Sequence, residues 1–342
     1  MGHNGLAALP LCAILNPSGR AYLKINAPGV ALLLQLQQHT DEPINHSLHQ
    51  PPKPTTANRE PHSPPNSPLL IPFLSLPFPI FGPMNTIEIR TVDVVQYLKP
   101  LREGGSLPAI VQADDEFLYV LKFRGAGQGK KALIAELVGG LLAKVIGLNV
   151  PEVVFMNLDD SFSKTEPDEE IQDLLRFSVG LNLGVHFLSG AITYDPLVPV
   201  ASPLYVSKVV LLDSLIINID RTAKNTNLLN WNKELWLIDH GASLYFHHNW
   251  QHWKTHLSRT FSGIKNHVLL GRATQLDEAS EEIQRLLNRD IIREIVSQIP
   301  EDWLTEESNT LTPGEMRAAY VEFLSTRLGK IDLLAKEASD AR

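Results

Sequence analysis

Three side chains able to handle protons and divalent cations stand within twenty residues of each other: Asp220, Asn225 and Asp239. An apolar helical stretch delivers Asp220 into the polar loop Asn218-Ile-Asp-Arg-Thr-Ala-Lys-Asn225. A short hairpin then turns the chain, and Asp239 emerges two residues before Gly241. Moving the γ-phosphoryl of ATP calls for a carboxylate beside the attacking hydroxyl and oxygen ligands for magnesium, because the protein supplies mainly positioning and charge neutralisation. Asp220 fits the first role, Asn225 and Asp239 the second. Arg221 and Lys224 flank the aspartate and are candidates either for offsetting charge on the transferred group or for structural ion pairs. Taken alone, Asn-Ile-Asp-Arg-Thr also suits a polar turn between a buried helix and a hairpin.

A phosphate end needs a cation. Phe117-Leu-Tyr-Val-Leu-Lys122-Phe is rich in strand formers and carries a lysine near its end, downstream of the glycine turn Gly104-Gly105-Ser106. Glycines let backbone amides approach phosphates because no Cβ intervenes. Gly104, Gly105, Ser106 and Lys122 are therefore candidate nucleotide contacts; an edge-strand lysine in water is the plain alternative for Lys122. Residues 132–146 read as a helix closed by Gly147, with Glu136 placed either to orient Lys122 or to face solvent. The loop 125–129 before that helix is also in reach of a nucleotide.

The elements that must position these groups lie mostly beyond residue 83. Fifteen of the 24 prolines fall in residues 1–83, removing amide donors and fixing φ, so a disordered Pro-rich segment is expected there. Met84 is the expected natural start, and a Pro-rich interaction tail is the rival reading. Downstream, strands are expected over 87–92, 117–123 and 150–158, the last leading toward the adenine, and over 184–190, where flanking glycines suggest close backbone packing. Residues 204–217 read as a buried helix, and 281–287, 291–298 and 313–334 as further helices. His248, His252 and His256 recur every four residues; on a helix they would share a metal-binding face, and an active-site flap or core packing is the alternative.

Composition excludes several classes of function. The chain carries a net charge of −8, which argues against nucleic acid as main partner. No apolar run reaches the roughly 18 residues of a membrane span. Cys12 is the only cysteine, so no disulfide forms within the chain, as befits a reducing cytoplasm.

Asp220 and Asn225 have the five-residue spacing of the protein-kinase catalytic loop, and Asp239-His240-Gly241 stands where a kinase has Asp-Phe-Gly. In combination, Gly104-Gly-Ser-Leu-Pro108, Tyr119-Val-Leu-Lys-Phe-Arg-Gly125, Glu136-Leu137, Gly147-Leu-Asn-Val-Pro-Glu152, Asn218-Ile-Asp-Arg221 with Asn225, Leu237-Ile-Asp-His-Gly241 and Ile299-Pro-Glu-Asp-Trp-Leu304 resemble the HipA-like kinase family of bacteria. The resemblance covers nearly all of 84–342 and none of 1–83. It implies an α+β, two-lobed protein-kinase-like fold, with a small β-rich lobe over 84–160 and a mainly helical lobe over 161–342. It further implies magnesium- and ATP-dependent phosphorylation of a Ser or Thr hydroxyl. By residue, Lys122 would hold phosphates, Asp220 would be the catalytic aspartate, and Asn225 and Asp239 would bind Mg2+. The extra N-terminal subdomain of the family's toxins that phosphorylate a glutamyl-tRNA synthetase has no counterpart, so that substrate is not implied. The glycine turn is also shorter than theirs, which weakens any analogy to autophosphorylation at Ser106. A nucleotide-binding pseudokinase scaffold and a small-molecule phosphotransferase of the aminoglycoside-kinase type are the alternatives. Retention of the Lys, Asp, Asn, Asp set argues against the first; an acidic substrate groove would mark the second.

Overall fold

β-Branched and aromatic residues alternate with polar ones between residues 91 and 186, and there the chain folds into a barrel. The computed structural model describes residues 87–101, 107–197, 201–305 and 311–342, together with the backbone of three strands between 11 and 35. The chain divides into two units, Met1–Phe78 and Pro79–Arg342. In the first, β1 (Leu11–Leu15), β2 (Ala21–Ala27) and β3 (Val30–Gln35) form an antiparallel sheet. The sequence reading expects disorder here; Pro10 precedes the first strand, and Pro17 and Pro28 fall in the sequence between strands rather than in them. The other residues of 1–83, including the densest proline run, lie outside the described residues.

The second unit opens with β4 (Thr91–Pro100), β5 (Ala109–Ala113) and β6 (Leu118–Lys122), followed by α1 (Gly129–Val145) and β7 (Val153–Leu158). After α2 (Ser161–Thr165) and α3 (Glu169–Phe177), β8 (Gly180–His186) closes the barrel in the order β4-β5-β6-β8-β7. The expected strand at 87–92 thus begins later, at Thr91. β7 does not lead out of the barrel; β8 does, paired to β6 with Lys122 opposite Leu183. A boundary after residue 160 therefore falls inside the barrel. Gly184 is required where β8 crosses β7, since a Cβ there would lie 2.3 Å from the Met156 sulfur.

Beyond β9 (Ile192–Thr193) the chain is mainly helical: α4 (Pro203–Ile216), the hairpin β10 (Leu228–Trp231) and β11 (Glu234–Leu237), then α5 (Leu276–Leu286), α6 (Arg289–Ser297), α7 (Pro313–Leu328) and α8 (Ile331–Ala341). The sequence reading runs α7 and α8 together; Gly329 ends the first of them. Helices α1 and α4 are apolar almost all round because both are central, buried among strands and other helices. Ser202 caps α4 by accepting a bond from the Tyr205 amide, Pro203 takes its first turn, and Ile217 ends it in the left-handed region at φ 55°. That sharp exit aims the following residues into the site. No helix among the described residues is long and apolar enough to cross a membrane.

Candidate active site

Lys122 sits at the end of β6 between Leu121 and Phe123, which are buried in the barrel, so its own side chain faces the other way. Its Nζ lies 2.7 Å from Glu136 Oε2 on α1 and 2.7 Å from Asp239 Oδ1 after β11. Burial pushes the lysine pKa down, but the carboxylates of Glu136 and Asp239 outweigh it and hold the ammonium charged. Burial raises the Glu136 pKa, and Lys122 and His240 more than reverse this, holding it well below the usual carboxylate range. Glu136 is 3% exposed, and its Oε2 also accepts the His240 amide at 2.7 Å. The same crossing explains Gly139: a Cβ there would lie 2.7 Å from the His240 Cβ. Asp239 itself adopts φ 54°, with Gly241 N donating to its Oδ1 at 3.3 Å.

The loop carrying Asp220 is held from below by a buried cluster. Asp213 in the middle of α4 is fully buried; its Oδ2 accepts from Arg221 Nε at 2.5 Å and lies 2.9 Å from His267 Nε2, while its Oδ1 accepts from Asn218 Nδ2 at 3.0 Å. Arg221 also donates to the carbonyls of Asn227 and Ile238, joining α4 to both strands of the hairpin. Asn218 Oδ1 in turn takes the Asp220 amide at 3.1 Å. The Asp220 carboxylate, at the surface, accepts Asn225 Nδ2 at 2.7 Å. Asp220 and Asn225 are thus together on one loop, and Lys122, Glu136 and Asp239 are together beside α1. Lys224 is exposed on the same loop. Arg221 is the correction: its guanidinium, 1% exposed, points into the protein and neutralises Asp213, so it has no free face toward a transferred group.

Asp213, Asn218, Asn227 and His267 were not found from the sequence. Asp213 had left a signal, since a lone acid inside an apolar helix must find a buried cation. Gly104, Gly105 and Ser106 lie outside the described residues. His248, His252 and His256 do not share a helical face, because this stretch forms 3-10 turns, Tyr245–His248 and Trp250–His256, with three residues per turn rather than 3.6. Among the described residues no cluster of three or more His, Cys, Asp and Glu could by itself hold a metal ion. Asp239 and Asn225 nevertheless suit magnesium, which favours oxygen donors and completes its shell with phosphates and water; the Asp239 side chain is 47% exposed, leaving carboxylate surface open to solvent.

Next to these groups a cleft of about 470 Å³ opens between the loop before α1, Ile219 and the residues after Asp239; Gly127, Gly129, Lys131, Gly241 and His248 line it. One side of the cleft adjoins Asp220 through Ile219 and the other adjoins Asp239 through Gly241.

A model of the HipA-like kinase family matches residues 94–332, which takes in the barrel, the Asp220 loop and most of the helices. The chain belongs to the HipA-like kinase family. As a HipA-like kinase it is a phosphotransferase. No curated protein matches it. Among solved structures, it is similar to the Helicobacter pylori proinflammatory kinase CtkA at 14% identity, over 68% of this chain and 94% of that one, with a TM-score of 0.43. The Golgi casein kinase matches at 13% identity over 74% of each chain with a TM-score of 0.41, and its form with Mn/ADP bound at 12% over 73% of each, also 0.41.

Proposed function

We propose that this HipA-like kinase transfers the γ-phosphoryl of ATP, with Mg2+, to a Ser or Thr hydroxyl of a protein in the cytoplasm. The observation that carries the reading is the meeting of Lys122 with Glu136 and Asp239 at 2.7 Å each, from three separate elements, beside a loop presenting Asp220 and Asn225. A structural ion pair needs one acid; here the second carboxylate is half exposed and stands two residues before Gly241, which lines a cleft.

In this reading Lys122, fixed by Glu136, anchors the nucleotide phosphates. Asp239 and Asn225 hold the magnesium, which when bound offsets charge on the phosphate oxygens. Asp220 orients the acceptor hydroxyl and takes its proton as the oxygen bonds to the γ-phosphorus; the bond from that phosphorus to the β–γ bridging oxygen breaks and ADP leaves. Asn225, bonded to the Asp220 carboxylate in the free protein, couples base to metal site. Arg221 contributes only by fixing the loop from beneath, and Lys224 is the exposed cation on the Asp220 loop.

Purified protein with radiolabelled ATP and magnesium should transfer or hydrolyse phosphate. Asp220→Ala should lower turnover by about 10²–10⁴-fold, the usual worth of a positioned acid–base group, while a fluorescent ATP analogue still binds. Unchanged turnover in that variant removes Asp220 from the mechanism.

A further inference from the structure

The end of α4, just before Asp220, leaves backbone carbonyls without intrahelical donors. The amides that would have continued the helix are all engaged elsewhere. Asn218 N donates to the Asp213 carbonyl at 2.9 Å, Ile219 N to the Ala242 carbonyl at 3.4 Å, and Asp220 N to Asn218 Oδ1 at 3.1 Å. The carbonyls of Ser214, Leu215 and Ile216 therefore need partners from other parts of the chain. Ile216 O takes the Leu244 amide at 2.8 Å. The other two take a side chain: Arg327, in the last turn of α7, donates from Nη2 to Ser214 O at 2.6 Å and from Nε to Leu215 O at 2.8 Å.

Arg327 is buried and does not line the cleft. Its Nη1 donates to the Arg259 carbonyl at 2.7 Å, in the segment between Asp239 and α5, so all three acceptors are backbone carbonyls. The guanidinium lies 5.5 Å from the centre of the Phe323 ring, and Phe323 stacks on Phe246 at 4.1 Å, which restrains the plane of the fork. Its charge also stands at the negative end of the α4 dipole. What it holds is strained: Ile217, a β-branched residue, ends α4 at φ 55°, a region such residues seldom occupy. Asp213 fastens the Asp220 loop through side chains, whereas Arg327 fastens the backbone from which that loop departs.

We propose that Arg327 is a positioning residue for phosphate transfer: by standing in for the missing amides it stops α4 at Ile217 and so fixes where the Asp220 carboxylate meets the acceptor hydroxyl. The inference rests on the kinase reading above and adds to it a residue remote from the cleft. Without the guanidinium, the Ser214 and Leu215 carbonyls regain donors when the Asn218 and Ile219 amides leave Asp213 and Ala242 and the helix winds on, which also relieves Ile217. Winding on draws Asp220 out of its turn and parts Ile219 from the residues after Asp239. Lys122, Glu136 and Asp239 are joined to one another on other elements, so nucleotide anchoring persists. A lysine on the same stem is a point donor and cannot span two successive carbonyls as the planar fork does.

The test uses the full chain with magnesium and labelled ATP, with turnover expressed per site that binds a fluorescent ATP analogue, so that misfolded chains drop out of the count. Arg327→Met should lower kcat by about 10–100-fold, the scale of a small misplacement of a reacting group, with KM for ATP within about twofold. Arg327→Lys should recover part of the loss. Arg317→Met, on the same helix but bonded to the Ile299 carbonyl, should keep kcat within about twofold. Hydrogen exchange should quicken at the Ile219 and Leu244 amides in Arg327→Met and stay unchanged in the barrel strands. Native kcat per site in Arg327→Met, an equal loss in Arg317→Met, or unaltered exchange at those two amides overturns the inference while Asp220-dependent turnover of the native chain upholds the kinase reading. Absence of Asp220-dependent turnover in the native chain overturns the kinase reading and this inference with it.

Discussion

Asp213 and Asp239 are the same side chain used in opposite ways. Each accepts a charge-assisted bond from one cation, Arg221 at 2.5 Å for the first and Lys122 at 2.7 Å for the second. Asp213 is fully buried and spends both oxygens on Arg221, His267 and Asn218. Burial raises its pKa, but Arg221 and His267 reverse this and hold the carboxyl well below the ordinary range. The Asp239 side chain is 47% exposed and keeps part of its carboxylate open to solvent. A buried carboxylate with both oxygens bonded fixes a loop; one left partly open is available to a ligand. The two sites lie on adjoining segments, so the difference comes from burial and partner count rather than from distance along the chain.

The contrast is broken most directly by removing each acid. Asp239→Asn should lower phosphate transfer by about 10²–10⁴-fold with little change in thermal midpoint. Asp213→Ala should instead cost about 3–5 kcal/mol of stability, the penalty for stranding a buried arginine, measured by urea unfolding. If Asp213→Ala were as stable as the native chain, or Asp239→Asn unfolded it, the division of labour would be wrong. A smaller effect tests the crossing of α1 over the Asp239 turn. Gly139→Ala would press a methyl group against His240; a loss of about 1–3 kcal/mol is expected for overpacking, together with weaker binding of a fluorescent ATP analogue.

Protonation sharpens the comparison further. His247 is fully buried against Tyr320 Oη at 2.9 Å, and burial lowers its pKa well below the ordinary value. The unfolded chain then binds the extra proton, so stability falls by about 1.4 kcal/mol for each pH unit below an unfolded-state value of ~6.5. Asp213 and Glu136 have depressed values, so their contributions are fully present above the unfolded value of ~4 and vanish only as pH drops through the folded ones. Unfolding at pH 7 and pH 5 therefore separates the histidines from these acids; His256, whose pKa burial also lowers, contributes in the same window, and His247→Phe should flatten most of that interval. The smallest effect is on the surface: Lys336→Ala, which removes an exposed pair with Asp340, should change stability by no more than about 0.5 kcal/mol.

The elements that declared themselves in the sequence were those with strong local signals. α1 and α4 were legible from apolar runs, the first closed by Gly147, and the hairpin was expected between Asn225 and Asp239. For Lys122 and Glu136 the sequence offered a pairing and a solvent-facing alternative, and the structure shows the pairing, with Asp239 as a second partner of the lysine. What stayed hidden depended on pairing over long separations. That β8, not β7, leaves the barrel follows from strand order, which residue type does not encode. For Arg221 the sequence left two readings open, and only the fold decides for the structural ion pair by bringing the guanidinium to Asp213. The histidine spacing suggested a shared face because a period of four assumes 3.6 residues per turn, and the chain there winds more tightly.

A single atom ties the two halves of the phosphate end together. Glu136 Oε2 receives both the Lys122 ammonium and the His240 amide. The Lys122 ammonium and the backbone following Asp239 consequently share one fastening on α1: a shift of α1 that frees either must release the other, so half-assembled arrangements are penalised.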